Sequence, residues 1–66
     1  MSDFKTRLFS EQSELEERIE KLTIFIETES FNDIDEMQQR LLRIQREAMI
    51  TYLYCLDERI AVLNNN

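Results

Sequence analysis

Eight cations, Lys5, Arg7, Arg18, Lys21, Arg40, Arg43, Arg46 and Arg59, stand among fourteen acids in this 66-residue sequence. Their chemistry is the pairing of anions, phosphates above all. Lys5 and Arg7 lie close to Phe4 and Phe9. A ring beside cations suits a nucleotide, whose base can stack while its phosphate is paired. The same four residues also suit a hydrophobic N-terminal anchor with a solvated basic fringe, and the residues alone favour the anchor. Arg40, Arg43 and Arg46 rise along the second half of the chain, roughly opposite Glu16, Glu17 and Glu20 of the first. Interhelical ion pairs are expected there for Arg40 and Arg43, each worth less than about 1 kcal/mol at a surface. Arg46 and Arg59 fall at the margins of apolar stripes, where a charge is costly unless something pairs with it. Lys21 borders an apolar seam.

Catalysis is not expected. There is no histidine to act as a base near neutral pH. The single cysteine, Cys55, has no histidine to activate it and falls on an apolar stripe, so a buried, inert thiol is expected. Without glycine there is no loop whose backbone could cradle a phosphate. Glu-x-x-His pairs for a di-iron bundle cannot be made. Asp33, Asp35 and Glu36 resemble the start of a calcium loop, but its glycine and later ligands are missing, and helix capping explains them better. No metal and no cofactor is expected.

Two elements must position these side chains. The chain has neither glycine nor proline, and its composition suits long helices. Residues 3–28 are expected to form the first helix. Leu8, Leu15 and Leu22 recur every seven residues, Ile19 and Ile26 lie beside them, and Phe4 extends the row. Gln12 is the polar break in this seam. The stretch 29–34 is the expected turn, with Phe31 and Ile34 plugging its end. Asp35 is the expected N-cap of a second helix over about 35–63, and Gln38 is placed to complete a capping box. Leu42, Met49, Leu56 and Leu63 repeat the seven-residue spacing, flanked by Leu53 and Ile60. Two helices of about 40 Å each, joined by a short turn, should pack antiparallel. The expected fold is all-α, a single helical-hairpin domain over residues 1–66.

The second helix carries a further apolar stripe, Met37, Leu41, Ile44, Ala48, Cys55 and Val62, about 120° around from the first. One partner helix cannot cover both. Single exposed apolar residues are ordinary, but a stripe this long points to a subunit interface. Size argues the same way. A chain this short is marginal alone and usually needs disulfides, a metal or oligomerisation, and only the last is open to it. A homo-oligomeric helical bundle is therefore expected.

The formal net charge of −6 makes DNA or RNA a poor ligand, because that affinity rests on cations releasing counterions. No run is apolar enough to span a membrane, and Asp3, Lys5 and Arg7 argue against a signal peptide. One cysteine fits a reducing cytosol.

The order of residues is more specific than their composition. The first helix contains Glu14-Leu15, Arg18-Ile19-Glu20-Lys21-Leu22 and Phe25-Ile26; Phe31 and Ile34 follow in the turn. The second helix contains Gln38, Leu41-Leu42, Gln45, Met49, Tyr52, Leu56 and Arg59-Ile60. Over about residues 11–63 this resembles the small helical-hairpin family of phage anti-defence proteins. That family includes the anti-CBASS nucleotide sponges and the hairpin region of anti-Thoeris sponges. The resemblance implies a compact homo-oligomer, often a hexamer, that holds cyclic nucleotides between protomers in the cytoplasm of an infected bacterial host. The ligand would be a cyclic oligonucleotide or a cyclic ADP-ribose-type molecule, sequestered and not cleaved. By the same resemblance Lys21, in the Lys-Leu-x-x-Phe-Ile pattern, is the first choice for a phosphate contact, and Arg59, in Arg-Ile, is the second. Phe4 or Phe9 would stack on a base, with Lys5 and Arg7 nearby. The alternatives are a helical interaction or assembly module that turns its second stripe to another protein, and an acidic DNA mimic. Arg40, Arg43 and Arg46 interrupt the acidic surface that a mimic needs.

Overall fold

The computed structural model describes residues 3–65, so residues 1, 2 and 66 of the expected domain lie outside the described residues. All regular structure among them is helical: α1 (Phe4–Ile26), α2 (Glu29–Asn32) and α3 (Glu36–Asn64). The particle is 47 Å long and 21 by 15 Å across.

The helix ends follow from local hydrogen bonding. Asp3 is extended, and its carboxylate accepts the Thr6 N–H at 2.8 Å, satisfying one of the donors that α1 leaves open. At the other end the Thr28 hydroxyl donates to the Phe25 carbonyl at 2.7 Å, and Thr28 turns extended. The expected turn over 29–34 is not bare loop, because α2 occupies most of it. The expected capping box at Asp35 and Gln38 is not formed, since the Asp35 side chain makes no capping bond. The neighbouring Gln39 makes a different contact. Its side-chain amide donates to the Ile34 carbonyl at 2.9 Å, tying the first turn of α3 to the connection before it.

The two long helices pack side by side and run in opposite directions. Gln12 meets Asp57 near one end of the pair, and Thr23 meets Arg46 toward the other. Between them the seven-residue seams close on each other. Leu8, Leu15, Leu56 and Ile60 are buried, and Ile19, Met49, Leu53 and Leu63 pack against them. Phe31 is completely buried, edge-to-face with Phe25 at 5.8 Å between ring centres. Phe4, expected to extend the seam, is instead half exposed.

The core is thin, with five buried apolar side chains among the described residues. Each stabilises the fold by about 1.5–3 kcal/mol at most. The second stripe of α3 lies outside this core. Met37, Leu41, Ile44, Ala48, Cys55 and Val62 are all exposed, and Ile24, Tyr52 and Tyr54 add to the apolar surface. Cys55, expected to be buried, is therefore exposed, because its face of α3 has no partner helix within the chain.

Candidate functional site

The first turns of α1 and the last turns of α3 enclose a groove of about 260 Å³. Helical spacing builds its α1 side. Phe4, Arg7, Leu8 and Glu11 stand at positions i, i+3, i+4 and i+7, which share one face. Leu8 is buried and forms the floor. Arg59 closes the groove from α3, its guanidinium 5.8 Å from the centre of the Phe4 ring. That distance is within the range of a cation–π contact. The groove thus combines one aromatic face, two guanidiniums and one carboxylate, a set suited to a ligand that is both planar and anionic.

Of the residues singled out from sequence, the structure brings together Phe4, Arg7 and Arg59. Lys5 and Phe9 are exposed and do not line the groove. On an ideal helix they lie about 100° and 140° around from Phe4, which turns them away. Lys21 is 17 residues beyond Phe4, about 25 Å along α1. It is strongly exposed and paired with Glu17 at 3.0 Å, an exposed pair of small energetic weight. Glu11 was not singled out from sequence. Its i+4 spacing from Arg7 and i+7 spacing from Phe4 was the available signal.

The expected interhelical ion pairs of Arg40 and Arg43 with Glu16, Glu17 and Glu20 do not form among the described residues. The two salt bridges found there, Lys21–Glu17 and Arg46–Glu47, each stay within one helix. Register is the reason, since it sets the uncharged Thr23 opposite Arg46. Arg46 Nε donates to Thr23 Oγ1 at 2.6 Å, and the Arg43 guanidinium lies over the Phe31 ring at 4.9 Å. No helix among the described residues is long and apolar enough to cross a membrane.

The molecule is thus a pair of long helices with a small cationic and aromatic groove at one end. No curated protein and no solved structure matches the chain. A family model described as Sequestin matches residues 2–62. The chain belongs to the Sequestin family, which agrees with its likeness to nucleotide-sequestering sponges, and the family's name points to sequestration of a ligand.

Proposed function

We propose that this protein is a phage anti-defence sponge that binds cyclic nucleotide immune signals in the cytoplasm of an infected bacterium and withholds them without breaking a bond. The observation that carries this reading is the Arg59 guanidinium over the Phe4 ring, with Arg7 and Glu11 beside them, in a member of the Sequestin family. A base stacks on Phe4, and Arg7 and Arg59 pair the phosphates. The ligand class is a cyclic oligonucleotide or a cyclic ADP-ribose isomer.

A homo-oligomer, with a hexamer favoured, completes the site. Small-molecule pockets commonly enclose about 300–1,000 Å³, and the groove of about 260 Å³ falls short of that range. The uncovered stripe from Met37 to Val62 supplies the adhesive face. Lys21 serves the same ligand as Arg59 only from a neighbouring copy, given their separation along the helix pair. Lys5 and Phe9 line a pocket only if a second copy is placed against them.

The test is a thermal-shift screen with cyclic dinucleotides, cyclic trinucleotides and cyclic ADP-ribose isomers. A ligand at 100 times its Kd stabilises the fold by about 2.7 kcal/mol. A shift with one class, lost in Arg59→Ala without loss of assembly, is the expected result. No shift with any class removes the reading. The exposed stripe would then favour a helical interaction module, recognised by a monomer or dimer that takes up a foreign chain.

A further inference from the structure

A second cavity, of about 330 Å³, lies between the last turns of α1 and the first half of α3, lined by Thr23, Ile26, Glu27, Arg43, Arg46 and Glu47. We infer that it binds a ribose phosphate, with Arg43 and Arg46 holding the phosphate and Glu27 and Glu47 accepting the sugar hydroxyls. Thr23 stands 19 residues beyond Phe4, about 28 Å along α1, so within one chain this site is separate from the groove at Arg59.

The case begins with how the two guanidiniums are held. The Thr23 hydroxyl donates to the Ile19 carbonyl at 2.7 Å, and the same oxygen accepts the Arg46 Nε–H at 2.6 Å. Arg46 is half-buried and fixed through Nε, with Nη1 turned to Glu47, which leaves its Nη2 donors for a ligand. Its link to Glu47 is long at 3.4 Å. Arg43 lies against the Phe31 ring, and no acid is within ion-pair distance of it among the described residues. A guanidinium lying on a ring keeps the N–H donors of its edge free for hydrogen bonding in its own plane. Two like charges three residues apart on a helix repel each other. A phosphate between them converts that repulsion into charge-assisted hydrogen bonds.

The remaining lining residues select an ester over a bare ion. Glu27 and Glu47 oppose a free dianion but accept hydrogen bonds from hydroxyl groups. Ile26 gives a sugar or base an apolar wall. A phosphate carrying a polyhydroxylated sugar satisfies both sides of the cavity.

The full chain is titrated with ribose 5-phosphate and, separately, with inorganic phosphate, followed by nitrogen-15 NMR that includes arginine Nε–H signals. Ribose 5-phosphate is expected to move the Arg46 Nε–H and the Thr23 amide saturably, while Phe4 and Arg59 stay in place. Arg43→Gln and Thr23→Val should each weaken binding at least tenfold with unchanged helical circular dichroism, and Glu58→Gln, at an exposed position outside both cavities, should bind as wild type. Shifts that do not saturate, shifts centred on Phe4 and Arg59, or wild-type affinity in both cavity variants would overturn the assignment. Inorganic phosphate binding as tightly as the ester would overturn the sugar part of it. A sponge that fails in the cyclic nucleotide screen leaves these outcomes unaffected.

Discussion

Gln12 Nε2 donates to Asp57 Oδ1 at 2.7 Å, and this bond marks the register of α1 on α3. The second interhelical side-chain bond, Arg46 to Thr23, agrees with it. Gln12 and Thr23 are eleven residues apart on α1, as are Arg46 and Asp57 on α3. Eleven residues are close to three helical turns, so both bonds border one seam. Leucines at seven-residue spacing would tolerate a slip by one heptad, whereas these two polar pairs would not. Polar groups in an apolar seam have this register-fixing role elsewhere in helical assemblies.

Removing either partner should therefore cost stability only once. Gln12→Ala and Asp57→Ala are each expected to lose about 1 kcal/mol, the usual size for one hydrogen bond. The double variant should lose no more than the worse single. Thermal unfolding of all four proteins at one concentration gives the coupling. Fully additive losses would mean that the two side chains do not stabilise each other.

Phe31 anchors the closed end of the helix pair. It is completely buried, touches Phe25 edge-on and supports the Arg43 guanidinium. Phe31→Ala should cost about 3–5 kcal/mol, as for other buried aromatic truncations. For 66 residues this is about a third or more of the whole stability, since domains hold about 0.05–0.15 kcal/mol per residue. Phe9→Ala, at an exposed position, should stay within about 0.5 kcal/mol of wild type. Circular dichroism against temperature distinguishes the two.

Residues governed by periodicity were legible in the sequence. Leu8, Leu15, Leu56 and Ile60 could be named as core because a helix repeats faces every seven residues, and burial follows the face. The stripe from Met37 to Val62 was legible for the same reason. Polar partners were not, because a charged side chain is long and register decides what it reaches. A shift of one turn would have given Arg46 a glutamate, and it meets Thr23 instead. The groove was half legible. The proximity of Phe4 to Arg7 is local, but the approach of Arg59 depends on how two helices align over 55 residues of chain.

Asp3 gives the fold an acid-sensitive end. Its carboxyl is held below its ordinary value, chiefly because it accepts the Thr6 backbone N–H. The unfolded chain then binds more protons than the folded one between the two values. The cap is fully effective above the ordinary carboxylate range and is lost as pH falls through the lowered value. Exchange of the Thr6 amide should accelerate over that window. Asp3→Asn, which caps without titrating, should abolish the dependence, and an unchanged pH profile in that variant would assign it to another acid.

The uncovered stripe makes a prediction about mass. The intact protein should sediment as a multiple of its 8.0 kDa chain. Ile44 is well exposed in the middle of the stripe. Ile44→Glu puts a charge where a partner would exclude water, which is unfavourable unless the charge is paired. That variant should sediment as a single chain, with the helix content reporting whether the monomer stays folded. Wild type at 8.0 kDa across micromolar concentrations would leave the stripe without a second copy to cover it.

The groove makes the sharpest prediction, because its two kinds of contact can be separated. Stacking of a base on an aromatic ring contributes about 1–3 kcal/mol, and a bidentate guanidinium is not matched by an ammonium group. Phe4→Ala should weaken a cyclic nucleotide by about 5-fold to 150-fold on that scale, while Phe4→Trp should retain it. Arg59→Lys keeps the charge and loses the fork, so it should fall between wild type and Arg59→Ala. Both substituted residues are exposed at the groove, so folding should not change with them. Calorimetric titration with the nucleotide class that stabilises wild type ranks the five proteins. Equal affinity of Phe4→Ala and Phe4→Trp would rule out stacking on this ring. Equal affinity of all five would move the ligand out of the groove.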